Sequence, residues 1–330
     1  MEIEKEYVER KQREFSDACV RGKADVVERL QENLFLYPNY ENENGFSPFH
    51  LACLNNRVEV VKILLKDVRL RDNIRNYEDM NGFLTACEKG FSELVELLLK
   101  DKRFDPNIVA RRPTTTPLLL ACVNDHVKVV KLLLEDPRLN PKESDMYIKT
   151  CFLSFRGKNT FHLVCQYNVP RVVELLLKDG RLDFNLLDGD KNNAFNTACG
   201  NGNLEVVKLL LKDRRIVVNQ KDDIENTALH IACMGGHVEV VRTLLTDKRF
   251  DVYAINYEMR TPFEEACYHG KNLVVELFLS RTEIEISDFT YTEEFDDANL
   301  KEMEILRKEF KRNPKSTRLR LKVKWDQIKE

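Results

Sequence analysis

The stretch Asn226–Asp251, NTALHIACMGGHVEVVRTLLTDKRFD, decides the fold, because its pattern returns along the chain. With Ala232-Cys233 as the marker, cysteines in the same setting stand at Cys19, Cys53, Cys87, Cys122, Cys165, Cys199, Cys233 and Cys267, spaced by 34, 34, 35, 43, 34, 34 and 34 residues. A fixed period of this size marks a stacked repeat array. Within the unit, Leu229, Ala232 and Cys233 fall at i, i+3 and i+4, one face of a short helix. Thr227 suits the start of that helix, where a side-chain oxygen takes a free backbone N–H. Gly236 closes it, and its column holds Gly22, Asn56, Gly90, Asp125, Asn168, Gly202, Gly236 and Gly270, the residue types that tolerate a left-handed backbone. A tight turn to a second helix is therefore expected. There Val240, Val241, Leu244 and Leu245 form an apolar stripe with no partner in its own unit, so each unit must stack on its neighbours.

These residues carry a resemblance to the ankyrin repeat, whose pattern runs Thr-Pro-Leu-His-x-Ala, a short turn, a Val-Val-x-Leu-Leu-Leu helix and a β-hairpin finger. The first part stands here as Ser47-Pro48-Phe49-His50-Leu51-Ala52, Thr116-Pro117-Leu118, Thr227-Ala228-Leu229-His230-Ile231-Ala232 and Thr261-Pro262-Phe263. The resemblance covers about residues 14–282 and departs from the family in three ways. The glycine before the Thr-Pro step is kept only at Gly45 and Gly157, the usual second Ala is Cys, and an Asp-x-Arg-apolar step recurs after the second helix, as at Asp101–Phe104 and Asp247–Phe250. These departures are expected to alter finger geometry more than the fold. The implied fold is an all-α repeat solenoid of about eight stacked ankyrin repeats, each a helix-turn-helix with a hairpin or loop finger, followed by a C-terminal helical tail.

The expected organisation is an N-terminal helical extension over 1–13, an array over 14–282 with degenerate end repeats, and a tail over 283–330. One elongated domain is expected, since such a core grows in one dimension. Nine extra residues lie within 141–155, rich in Met146, Tyr147, Ile148, Phe152 and Phe155. They either fold back on the neighbouring helices or form an enlarged finger, because Met and aromatic side chains populate interface centres. The tail is polarised: 283–300 holds seven acids and no Lys or Arg, and 301–330 holds eleven Lys or Arg against five acids. Asp296-Asp297 can start a helix whose stripe Leu300, Met303, Leu306 and Phe310 caps the last repeat, with Asn313-Pro314 ending it. Beyond, Arg318–Trp325 alternates basic with apolar and reads as a strand or extended segment.

Net charge is −3 with 32% charged residues, which gives neither a basic field for nucleic acid nor an acidic block suggesting disorder. No apolar run approaches the ~18–20 residues of a bilayer span, and the N-terminus lacks the pattern of a signal peptide. The cytosol is the expected compartment, with the nucleus as the alternative, and a monomer is the expected state. Eight of the nine cysteines share one inward column. Stacked helices lie ~8–10 Å apart and disulfides need Cα atoms within ~7 Å, so these cysteines read as small buried hydrophobes. Cys151 falls in the insertion.

No catalytic, cofactor or metal constellation survives the repeat reading. His50, His162 and His230 share a column and read as turn residues bonding backbone; Gly200-Asn201-Gly202 lacks the strand and Lys-Ser/Thr of a phosphate loop. What remains is a surface. The resemblance implies partner contacts at finger tips and just after each cysteine: Phe46, Tyr77, Met80, Glu88, Lys89, Arg112, Tyr167, Tyr257, Arg260, Tyr268 and His269, with Met146, Tyr147, Phe152, Phe155 and Arg156 of the insertion. The expected function is a non-enzymatic scaffold or adaptor holding a protein partner. The alternative makes the array a carrier whose tail, through Arg318, Arg320, Lys322, Lys324 and Trp325, binds anionic lipid, nucleic acid or a larger machine such as a ubiquitin ligase.

Overall fold

A computed structural model of the chain describes residues 2–32, 36–71, 74–111, 114–141, 157–281, 284–286 and 298–327. These contain eighteen helices: α1 Glu2–Arg21, α2 Ala24–Gln31, α3 Pro48–Leu54, α4 Val58–Leu64, α5 Gly82–Lys89, α6 Ser92–Lys100, α7 Pro117–Val123, α8 Val127–Glu135, α9 Thr160–Gln166, α10 Pro170–Asp179, α11 Ala194–Gly200, α12 Leu204–Lys212, α13 Ala228–Gly235, α14 Val238–Thr246, α15 Pro262–Tyr268, α16 Asn272–Ser280, α17 Ala298–Arg312 and α18 Pro314–Gln327. The charged N-terminal stretch and the first helix of the first pair form one continuous helix, α1.

Each first helix starts as its sequence dictates. Ser47, Thr227 and Thr261 accept the N3 backbone N–H while the N3 side chain, His50, His230 or Glu264, accepts the cap N–H in return. Each pair turns through a left-handed residue. All eight positions of the Gly/Asn/Asp column have φ between +53° and +74°. At Gly90 and Gly202 a second constraint applies: an added Cβ would meet the His126 or His237 ring at 2.5 Å.

The chain divides into two compact units, 1–160 with 174–182, and 161–173 with 183–330, where the sequence suggests a single domain. Because repeat elements touch only their neighbours, contacts along such an array are local. In the first unit, α1, α3, α5 and α7 pack in succession, as do α2, α4, α6 and α8; in the second, α11, α13 and α15 do so beside α12, α14 and α16. Phe49 stacks on Phe104 at 5.7 Å in the first unit, and Phe195 on Phe250 at 6.0 Å in the second. The eight column cysteines are free and buried. Burial pushes the Cys19 thiol up to about 12 and raises those of Cys53, Cys87 and Cys267 as well.

The Asp-x-Arg step does more than reshape a finger. In each copy the aspartate takes the arginine in a fork, as at Arg138, whose Nε and NH2 lie 3.0 and 2.7 Å from the two Asp136 oxygens. The guanidinium then reaches back one repeat, donating to Phe104 O at 3.0 Å and Leu99 O at 2.7 Å. Arg69 reaches Leu36 O and Gln31 O, and Arg181 reaches Leu139 O and Leu134 O, in the same way. Carbonyls left open at the end of one repeat's second helix are thereby satisfied by the next repeat. His126 and His237 add a second tie, donating from Nε2 to Glu88 O at 2.7 Å and Gly200 O at 2.8 Å.

Fingers mostly lack the expected hairpin ladder. Only β1, Ala110–Arg111, pairs antiparallel with β2, Thr114–Thr115, among the described residues. Five other fingers are loops closed by one Asn or Asp side chain that accepts two backbone N–H groups. Examples are Asn76, bonded by Glu78 and Met80, and Asn256, bonded by Glu258 and Arg260. The left-handed finger position is filled by Gly45 and Gly157 but also by Asp79, Lys191, Glu225 and Met259.

The tail corrects the sequence reading. Arg318–Trp325 is helical, within α18, not extended: Pro314 occupies the first helical position and Asn313 accepts the Ser316 N–H at 3.2 Å. Helix α18 packs on α16, and α17 packs on both. Met303, Leu306 and Phe310 of the predicted stripe are buried, joined by Leu321 and Trp325.

Candidate interaction surface

The finger tips of the second unit are tied edge to edge. Asp223 N donates to Asp190 O at 3.1 Å, and Tyr257 N to Ile224 O at 3.0 Å. The second bond joins Ile224 to Tyr257 of the finger that also carries Met259, and these three residues are 45, 80 and 72% exposed. Tyr253 and Ile255, also exposed, precede them in the same finger. Such a concentration of large apolar side chains on adjoining loops is the kind of patch that marks an interaction site.

Behind the tips lies a buried polar cluster at the base of α15. Asn256 Nδ2 donates to Asn226 Oδ1 and to Glu265 Oε1, both at 2.8 Å. Glu265 is 2% exposed. Its Oε2 accepts no hydrogen bond, although His269 Nε2 lies 3.3 Å from it. Arg260 reaches Glu265 Oε1 at 3.4 Å, pairs with Glu258, and holds its guanidinium 3.7 Å above the centre of the Tyr268 ring. Tyr268 meets His269 edge-on at 5.2 Å. His230, next to this cluster, accepts from Thr227 N at Nδ1 and donates from Nε2 to Arg260 O at 3.0 Å. Burial lowers the pKa of His230 and of His50, which sits in the equivalent place and bonds Met80 O at 3.1 Å.

Of the surface residues named from the sequence, the structure thus brings Arg260, Tyr268 and His269 together and places Tyr257 at the adjoining tip. Tyr167 is 52% exposed on α9's C-terminal side. In the first unit Tyr77 is an exposed tip, Phe46 is half-buried with its ring edge-on to His50 at 6.2 Å, and Glu88 and Lys89 form an ion pair at 3.3 Å. Met80 is a correction: it packs with Leu84 and Ala110 in the core, because the finger turns its side chain inward while its carbonyl bonds His50. Arg112, Met146, Tyr147, Cys151, Phe152, Phe155 and Arg156 lie outside the described residues. Sequence reasoning missed Glu265 and Ile224. Glu265 carries a signal, a carboxylate in a helix column that holds Leu, Thr or Ile in the six repeats before it (as Leu51, Thr85, Ile231) and an acid otherwise only at Asp17 of the degenerate first repeat.

The proposed tail site is largely spent inside the molecule. Trp325 is buried beneath Arg242, 4.9 Å away. Arg318 donates to Leu279 O, Arg281 O and Ile284 O, Lys324 pairs with Glu276 at 2.6 Å, and Arg320 with Glu309 at 2.5 Å. Lys322 is exposed. No helix among the described residues is long and apolar enough to cross a membrane.

Family models for ankyrin repeats match residues 15–65 in one form and 67–145, 138–222 and 216–289 in another. Together these cover most of the chain, and it belongs to the ankyrin-repeat family. Ankyrin repeats are protein-interaction modules. Among curated proteins, none matches the chain.

Proposed function

We propose that this chain is a non-enzymatic scaffold that holds a protein partner on the finger tips and inner helix face of its second unit. One observation carries the reading: Ile224, Tyr257 and Met259 stand exposed on two adjoining fingers whose backbones are bonded to each other. Tyrosine gives a large contact area at little entropic cost, and a preordered surface loses little freedom on binding. The tail reading has less to work with, since four of its five side chains are engaged with the last two repeats or with α17. Removing the tail would uncover α16, so truncation is a poor test. Point changes are better. In precipitation from the native cell, Tyr257→Asp with Met259→Asp should lose the partner, whereas Lys322→Glu should retain it. Retention by the finger variant and loss by Lys322→Glu would overturn the reading.

A further inference from the structure

Glu265 is a carboxylate with work left undone. Buried polar atoms in folded proteins are almost always hydrogen-bonded, and each exception calls for a reason. Here Oε1 accepts from Asn256 and, at longer range, from Arg260, while Oε2, also buried, accepts nothing. His269 Nε2 lies 3.3 Å from Oε2 without donating to it, and the cation beside the carboxyl reaches only the other oxygen. Arg260, 3.7 Å over the centre of the Tyr268 ring, touches Oε1 at a long 3.4 Å, and it is shared with Glu258, which is half in solvent. A guanidinium between an aromatic face and a carboxylate is a recurrent mode of holding a cation. The surroundings have the matching sign. The second unit's fingers over 187–192, 221–226 and 255–260 hold six acids against three bases, and two of those bases, Lys221 and Arg260, are already paired inside their own fingers.

We infer that Glu265 receives a lysine or arginine side chain from a basic segment of the partner, against the Tyr268 ring, and that Arg260 holds this seat in the unbound chain. On binding, Arg260 swings out to Glu258 and the incoming cation donates to Oε2. The apolar tips Tyr257 and Met259 take the hydrophobic side chains of the same segment. This assignment rests on the reading that this face binds protein, and it names the chemistry of what is bound.

The test uses the full chain, isotope-labelled, titrated with N-acetyl-arginine amide and with its neutral isostere N-acetyl-citrulline amide, following the amide signals of residues 256–269. Saturable shifts with the arginine compound and none with citrulline are expected. Arg260→Ala, which vacates the seat, should tighten binding at least fivefold. Glu265→Gln, which can still accept from Asn256, should weaken it at least tenfold. Equal response to citrulline, unchanged affinity in Glu265→Gln, or weaker binding in Arg260→Ala would each overturn the inference. Should Glu265→Gln fail to fold, the citrulline comparison and Arg260→Ala still decide. A partner that is lost with the finger variant yet indifferent to Glu265→Gln sinks the inference alone. Arginine binding at Glu265 in a chain whose fingers capture no partner sinks the functional reading alone.

Discussion

Met259 occupies a finger tip at φ +59°, where an unbranched L side chain is strained and glycine is not. Met259→Gly should therefore stabilise the chain by about 0.5–1 kcal/mol, read as a higher urea midpoint, at the cost of an exposed apolar contact. Side chains also set the acid response. The arginine forks hold Asp67, Asp101, Asp136, Asp213 and Asp247 below the usual carboxylate range. A depressed folded pKa gives stability that is complete above the unfolded value, about 3.9, and is lost as pH falls through the folded one. His50 and His230 also have folded values below the unfolded one, about 6.5, so the unfolded chain binds the extra proton and stability falls as pH drops through that window. Urea midpoints measured against pH should show two losses, one beginning near 6.5 and one below about 4. His230→Gln should shrink the first and Asp101→Asn the second; a single step untouched by either change would refute these roles. The left-handed turn column was legible because only Gly, Asn and Asp fill it. The finger column was not, since Lys191, Glu225 and Met259 carry no preference for that backbone; there an Asx side chain three residues earlier enforces the turn.

At the level of elements, the last helix closes the array by copying its own joint. Arginines of the Asp-x-Arg steps reach carbonyls of the preceding repeat, two of them in Arg69, Arg138 and Arg181, as Arg138 does at Leu99 and Phe104. The eighth pair is followed by Ser280-Arg281-Thr282, without the step. Arg318, from α18, supplies the missing guanidinium to the equivalent carbonyls, Leu279 O and Ile284 O. Arg318→Ala should loosen α18, and Trp325, the chain's only tryptophan, reports it. Its emission should shift red at lower urea than in the parent chain, ahead of the loss of helical signal. Coincident transitions in parent and variant would contradict a docked tail. The segment's sequence carries two periods at once. Leu319, Leu321, Val323 and Trp325 alternate as in a strand, but Thr317, Leu321 and Trp325 repeat every fourth residue, and that is the set the helix buries. Leu319 and Val323 are left 66 and 49% exposed, so alternation alone pointed the wrong way.

Across the molecule, stacking followed from the period of the cysteine column, because a two-helix unit cannot bury its own stripe. The proposed partner surface was only half visible. Exposed tyrosines can be named from a repeat alignment, but which of them meet depends on backbone bonds between neighbouring fingers, and no spacing rule reveals that Ile224 lies against Tyr257. The buried seat at Glu265 likewise needs three elements, the finger at Asn226, the finger at Asn256 and helix α15, to converge. Joined by forks and histidine ties, these repeats hold an acidic and apolar set of finger tips in place, the face proposed for the partner. The most direct measurement places a photo-crosslinking phenylalanine analogue at position 257 in one chain and at position 322 in another, each irradiated in the native cell. A discrete protein adduct from position 257 and none from position 322 is the expected result. An adduct from position 322 with none from 257 would move the binding function to the tail.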